Sequence, residues 1–90
     1  MDQQAAQAIA EKAYWQEAKA LFTPEEQANT RMLPPSMYYI PQEEGSWQRV
    51  WFFSFQLHRG GATYTENQVR VDAQTGEILD LEVSDEVGNG

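Results

Sequence analysis

The chain has no cysteine. Disulfide staples and thiolate chemistry are therefore excluded, although the redox compartment stays open, since both kinds of compartment hold cysteine-free proteins. Histidine occurs once, at His58. With no H-E-x-x-H pattern and no Cys/His set, a dedicated zinc site has too few ligands. Basic residues are scarce: 6 Lys and Arg face 14 Asp and Glu, a formal charge of -8. That balance opposes nucleic acid and anionic lipid, whose phosphates need clustered Lys and Arg. It favours solubility and, more weakly, a basic partner. No apolar run approaches the ~20 residues of a membrane span. The start, MDQQAAQAIAEKA, lacks the basic and apolar regions of a signal peptide, so a cytoplasmic chain and a removed leader both stay open.

What is present suits one small domain of 90 residues, 41% of them hydrophobic. A core of this size predicts a stability at the low end of about 5–15 kcal/mol.

The stretch from Val71 to Leu79, VDAQTGEIL, carries the strongest local signal. Val69 and Val71 lead in, and Leu79, Leu81 and Val83 lead out. Gly76 supplies the positive φ that a tight hairpin requires. Asp72 is placed to accept backbone N–H groups across the turn.

Upstream, the spacing predicts a helix from about Gln3 to Phe22, capped by Asp2. Its apolar stripe is read as Ala6, Ile9, Ala10, Ala13 and Ala20 with Leu21 beside them, extended by Tyr14, Trp15 and Phe22. Thr23, Pro24 and Glu26 form a capping-box pattern and start a short second helix, from Pro24 to about Thr30. Arg31, Met32 and Leu33 are taken to continue it until Pro34 and Pro35 stop it. Met37 to Ile40 reads as an edge strand bounded by prolines, which cannot donate to a ladder. Gln42 to Ser46 is a polar turn.

Trp47 to His58 is the strongest strand. Trp47, Trp51, Phe53, Phe55 and Leu57 share one face, expected against the first helix, and Arg49 interrupts that face near its start. Gln48, Val50, Phe52, Ser54, Gln56 and His58 share the other. Arg59, Gly60, Gly61 and Ala62 form a turn, Tyr64 to Asp72 the next strand, and Glu77 to Val83 the last, with odd positions inward. The expectation is an α+β fold: an N-terminal helix, plus the short second helix, packed on one face of a four-stranded antiparallel β-meander. Residues 1–84 form the domain, and 85–90 a flexible acidic tail.

Catalytic parts are few. His58 has no nucleophile near it in sequence, and Ser54 and Thr63 lack a contextual motif. Asp72, Thr75 and Glu77 offer oxygens to calcium, but without EF-hand spacing, and the turn already accounts for Asp72. Glu77, Asp80, Glu82, Asp85 and Glu86 read as a solvated face or a docking surface for a basic partner. Tyr38, Tyr39, Trp47 and Phe52 are the candidate partner-binding residues, because aromatics carry much of the contact energy at interfaces and an edge strand can pair with an extended peptide. Burial in the core or beneath the sheet is the competing fate of the same side chains.

Three stretches resemble the PepSY domain family. Ala5-Ala6-x-x-Ile9-Ala10 is similar to its alanine-rich opening helix, and Trp51-Phe52-Phe53-Ser54-Phe55 to its central aromatic strand. Val69-x-Val71-Asp72-Ala73-x-Thr75-Gly76-Glu77-Ile78-Leu79 resembles its closing hairpin and is the most specific. The second helix and Pro34-Pro35 make the middle longer than in the shortest members. The resemblance implies a non-catalytic, bacterial, extracytoplasmic interaction module, secreted or envelope-anchored, of the kind that in peptidase propeptides keeps a peptidase inhibited. It implies a protein partner, a peptidase among them, and no catalytic residue, metal or cofactor; Asp72, Thr75 and Gly76 are its structural motif. The alternative is a small apolar ligand held between helix and sheet. An enclosed pocket beside Trp51, Phe53 and Phe55 would favour the ligand, and a filled core with an exposed aromatic edge the protein partner.

Overall fold

Asp2 opens the first helix by accepting the Ala5 amide on Oδ1 at 2.9 Å. A computed structural model describes residues 1–58, 63–84 and 88–89, so the turn expected over 59–62 and positions 85–87 and 90 of the expected tail lie outside the described residues. Helix α1 (Gln3–Leu21) ends where the Phe22 amide reaches back to the Ala18 carbonyl. Its buried row is Ala6, Ala10, Tyr14 and Ala18, and Phe22 continues it. Every step is four residues, a drift of about 40° per step, so the row follows an inclined ridge rather than the helix axis. Ala20 and Leu21, expected in the stripe, are exposed, Leu21 by 47%. Ala20 lies about 200° around the helix from Ala18 and so points to water.

The second helix, α2 (Pro24–Ala28), has both halves of its capping box: the Glu26 amide donates to Thr23 Oγ1 and the Thr23 amide to Glu26 Oε1. It ends at Asn29, and the segment expected to prolong it is instead strand β1 (Thr30–Met32). Thr30 donates its hydroxyl to the Glu26 carbonyl at 3.0 Å, which satisfies one open helix acceptor. From there the chain gains more by pairing with Phe55–Leu57 than by another turn of helix.

Pro34 and Pro35 interrupt that edge, and β2 (Ser36–Pro41) resumes it against the first half of β3 (Trp47–His58). Strand β4 (Thr63–Asp72) lies on the other side of β3, and β5 (Ile78–Glu82) lies beyond it. All pairings are antiparallel, and β2 to β5 follow one another as a meander. The fold is thus α+β with both helices at the N-terminus, but among the described residues five strands of three residues or more form the sheet, rather than four. A two-residue segment, β6 (Gly88–Asn89), also pairs with Thr63 and Tyr64.

The helix-facing side of β3 carries the core. Phe53, Phe55, Leu57, Val69 and Val71 are buried against the α1 row, with Trp51 and Ile9 partly buried at the margin. Tyr14 stacks on Phe55, centroids 4.1 Å apart and planes 3° from parallel. Fully buried aromatics of this kind contribute on the order of 2–3 kcal/mol each. Strand β5 departs from the expected odd-inward alternation. Val71 pairs with Ile78 but Arg70 with Asp80, so Leu79 is an extra residue. This bulge turns Ile78 inward and leaves Leu79 38% exposed, while Leu81 and Val83 keep their core contacts.

Candidate partner-binding surfaces

The hairpin turn after β4 is built from its own oxygens. Asp72 Oδ1 accepts the amides of Gln74 at 2.7 Å and Thr75 at 2.9 Å. Its Oδ2 takes Gln48 Nε2 at 2.9 Å from the neighbouring strand. The Gln48 bond, then the Thr75 amide, hold the Asp72 carboxyl below its usual range. Thr75 Oγ1 accepts the Glu77 amide, and Gly76 sits at φ +79°. A Cβ on Gly76 would lie 2.7 Å from Met1 Cε and 3.0 Å from Ile9 Cδ1, so this turn abuts the start of α1. The side-chain oxygens of Asp72 and Thr75 are thus engaged in closing the turn. Among the described residues no group of three or more His, Asp or Glu is placed to hold a metal ion.

The four aromatic candidates divide into two pairs on opposite faces, as alternation along β2 and β3 requires. Tyr38 and Phe52 belong to the face away from α1. There Arg70 lies over the Phe52 ring at 5.0 Å, donates from Nε to Tyr38 Oη at 2.8 Å, and pairs through Nη1 with Asp80 at 2.6 Å. Gln68 extends this network to Asp80 and Glu82, and Ser54 donates to Glu66. Phe52 and Tyr38 are half-buried, and Val50 beside them is wholly buried between its cross-strand neighbours Tyr38 and Asp72. These side chains satisfy one another, so this face is a closed polar layer.

Tyr39 and Trp47 belong to the α1 side of the sheet, nearer the start of β3 than Trp51, whose Nε1 donates to the Met1 carbonyl at the start of the helix. Tyr39 is 57% and Trp47 63% exposed, and together they line an open apolar recess. The turn joining their strands is closed by hydrogen bonds: the Gln42 amide donates to the Ser46 carbonyl and the Gly45 amide to the Gln42 carbonyl, Gly45 takes φ +95°, and Ser46 donates to Glu44 at 2.6 Å. That bond, more than the backbone contribution, holds the Glu44 carboxyl below its usual range. Glu43 and Glu44 are exposed at the hairpin tip.

His58 is exposed at the far end of β3, where Asn29, Thr30 and Arg31 line a polar recess with it. Of these side chains Thr30 carries a hydroxyl, and it donates to the Glu26 carbonyl at 3.0 Å.

Two constellations escaped the sequence reading. The first is a buried polar chain: Asn67 Nδ2 donates to Tyr14 Oη at 3.1 Å, and Asn67 Oδ1 accepts the Ser84 amide at 2.7 Å. Burial pushes the Tyr14 phenol up, opposed by its hydrogen bonds to Asn67 and Thr30. The signal was available, since Asn67 shares the inward parity of Val69 and Val71. The second is Arg70, whose role depends on a register that brings Phe52, Tyr38 and Asp80 around it.

No protein-family model, curated protein or solved structure matches the chain.

Proposed function

We propose that the protein is a non-catalytic protein-interaction module of a bacterial envelope or secreted protein, with a peptidase as the partner class to test first. The observation that carries the reading is the pair Tyr39 and Trp47, two large aromatic side chains more than half exposed on a braced hairpin. Large aromatics left in water on a rigid element are the usual anchors of protein interfaces. The compartment and the peptidase rest on the PepSY resemblance of the α1, β3 and β4–β5 segments. The Tyr14 ring stacked on Phe55 occupies the space between helix and sheet, which weighs against the small-ligand alternative.

The test is site-directed crosslinking. A photoreactive residue replacing Tyr39 should capture a protein from the secreted and envelope fraction of the producing cell. The same residue replacing exposed Leu21, on the helix, should capture nothing comparable. Equal crosslinking from both positions would defeat the assignment. Substrate turnover by the isolated domain would defeat the non-catalytic role.

A further inference from the structure

We infer that the free edge of β2 takes up an extended cationic segment of the partner as an added strand, with an Arg or Lys of that segment lying over Tyr39 and Trp47. The inference rests on the interaction-module reading and names the chemistry of its partner.

Among the described residues the sheet has two outer edges, β1 with β2 on one side and β5 with the two-residue β6 on the other, and they differ. Strand β5 is bulged at Leu79 and carries Asp80 and Glu82, two devices that discourage strand addition. Strand β2 pairs with β3 over six consecutive residues without a register shift. From Leu33 to Gln42 it has no charged side chain at all. Pro34, Pro35 and Pro41 bound the usable edge, leaving Ser36 to Ile40 with backbone amides, a length suited to one short extended peptide.

The charge of the occupant follows from what surrounds that edge. Glu43 and Glu44 stand exposed at the hairpin tip, on the side of the hairpin where Arg49 lies opposite Tyr39; Arg70, which reaches Tyr38 from the other face, is already paired with Asp80. The chain as a whole is at -8, which repels a second copy of itself and draws a basic segment. The ring faces of Tyr39 and Trp47 suit a guanidinium or ammonium, which gains more over Trp and Tyr than over aliphatic side chains.

Short capped peptides alternating Arg with Val test this directly, titrated into the whole chain and followed by backbone amide shifts. Saturable binding is expected, with shifts centred on Ser36 to Ile40 and on Trp47. Trp47→Ala should weaken it about tenfold, the scale of one partly desolvated cation–π contact. Methylating alternate backbone nitrogens of the peptide, in the register that faces β2, should abolish it with the protein unchanged. Four outcomes overturn the inference: no saturable binding, equal binding of a Glu–Val peptide, no effect of N-methylation in either register, or shifts centred on Ile78 to Glu82. If crosslinking from Tyr39 succeeds while the cationic peptide fails, the interaction module stands and only its partner chemistry falls. If both fail, the two readings fall together.

Discussion

Gly76 shows how much a single residue contributes to this fold. Its φ of +79° is costly for any residue with a Cβ, and a Cβ there would also press on the ends of the Met1 and Ile9 side chains, which would have to shift. Gly76→Val should cost at least about 1–2 kcal/mol from backbone strain alone, read as a lower urea midpoint. An unchanged midpoint would remove the claim. Asp72 makes a pH-dependent contribution through the same turn. Its carboxyl is depressed in the folded protein, so the stability it adds is present above the unfolded value of about 3.9 and is lost as pH falls through the folded value. The stability gap between wild type and Asp72→Ala should therefore be wider near neutrality than at about pH 2.5. Urea midpoints at the two pH values decide it, and a gap independent of pH would contradict the cause assigned here. An interface on the face of Phe52 would make that residue matter more for partner capture than for stability. Its ring instead carries Arg70 within a closed layer, so Phe52→Ser should cost about 1–3 kcal/mol and leave capture in place. Capture lost without a fall in melting temperature would return the interface to that face.

At the level of elements, local signals were legible and cross-strand consequences were not. The Asp2 cap, the Thr23 capping box, the full extent of β3 and the Asp72–Gly76 turn all depend on residues within a few positions of one another. They could be read because capping and turn chemistry act at that range. Strand β1 could not, since Thr30 to Met32 looks like the tail of a helix until Phe55 to Leu57 lie beside it. The Leu79 bulge was hidden for the same reason: alternation in sequence continues smoothly through it, and only pairing with Arg70 and Val71 shows the extra residue. The candidate site was legible as residue types but not as a surface. Tyr38 and Tyr39 are adjacent in sequence, yet parity places them on opposite faces, Tyr38 bonded to Arg70 and Tyr39 exposed. The buried link between α1 and β4 gives this level its own test. Tyr14→Phe keeps the ring stack on Phe55 but removes the acceptor for Asn67, and should cost about 1–3 kcal/mol. A stability equal to wild type would mean that Asn67 finds another partner.

For the molecule as a whole, the two sheet faces divide the work. The α1 side buries the apolar core along the middle and far part of β3, and the opposite side is tied together by Arg70, Asp80 and their neighbours. Tyr39 and Trp47 remain outside both arrangements, where the β2–β3 hairpin runs past the start of α1. Such a surface adds little to folding, because its side chains stay largely in water, and it is free to be used for recognition. The most direct measurement is the double replacement Tyr39→Ser with Trp47→Ser, assayed side by side for melting temperature and for retention of the crosslinked partner. The account predicts a melting temperature within about 4 °C of wild type, as for surface substitutions, together with loss of retention. Retention undiminished in a folded double variant, or collapse of the fold on replacing these two exposed rings, would contradict it.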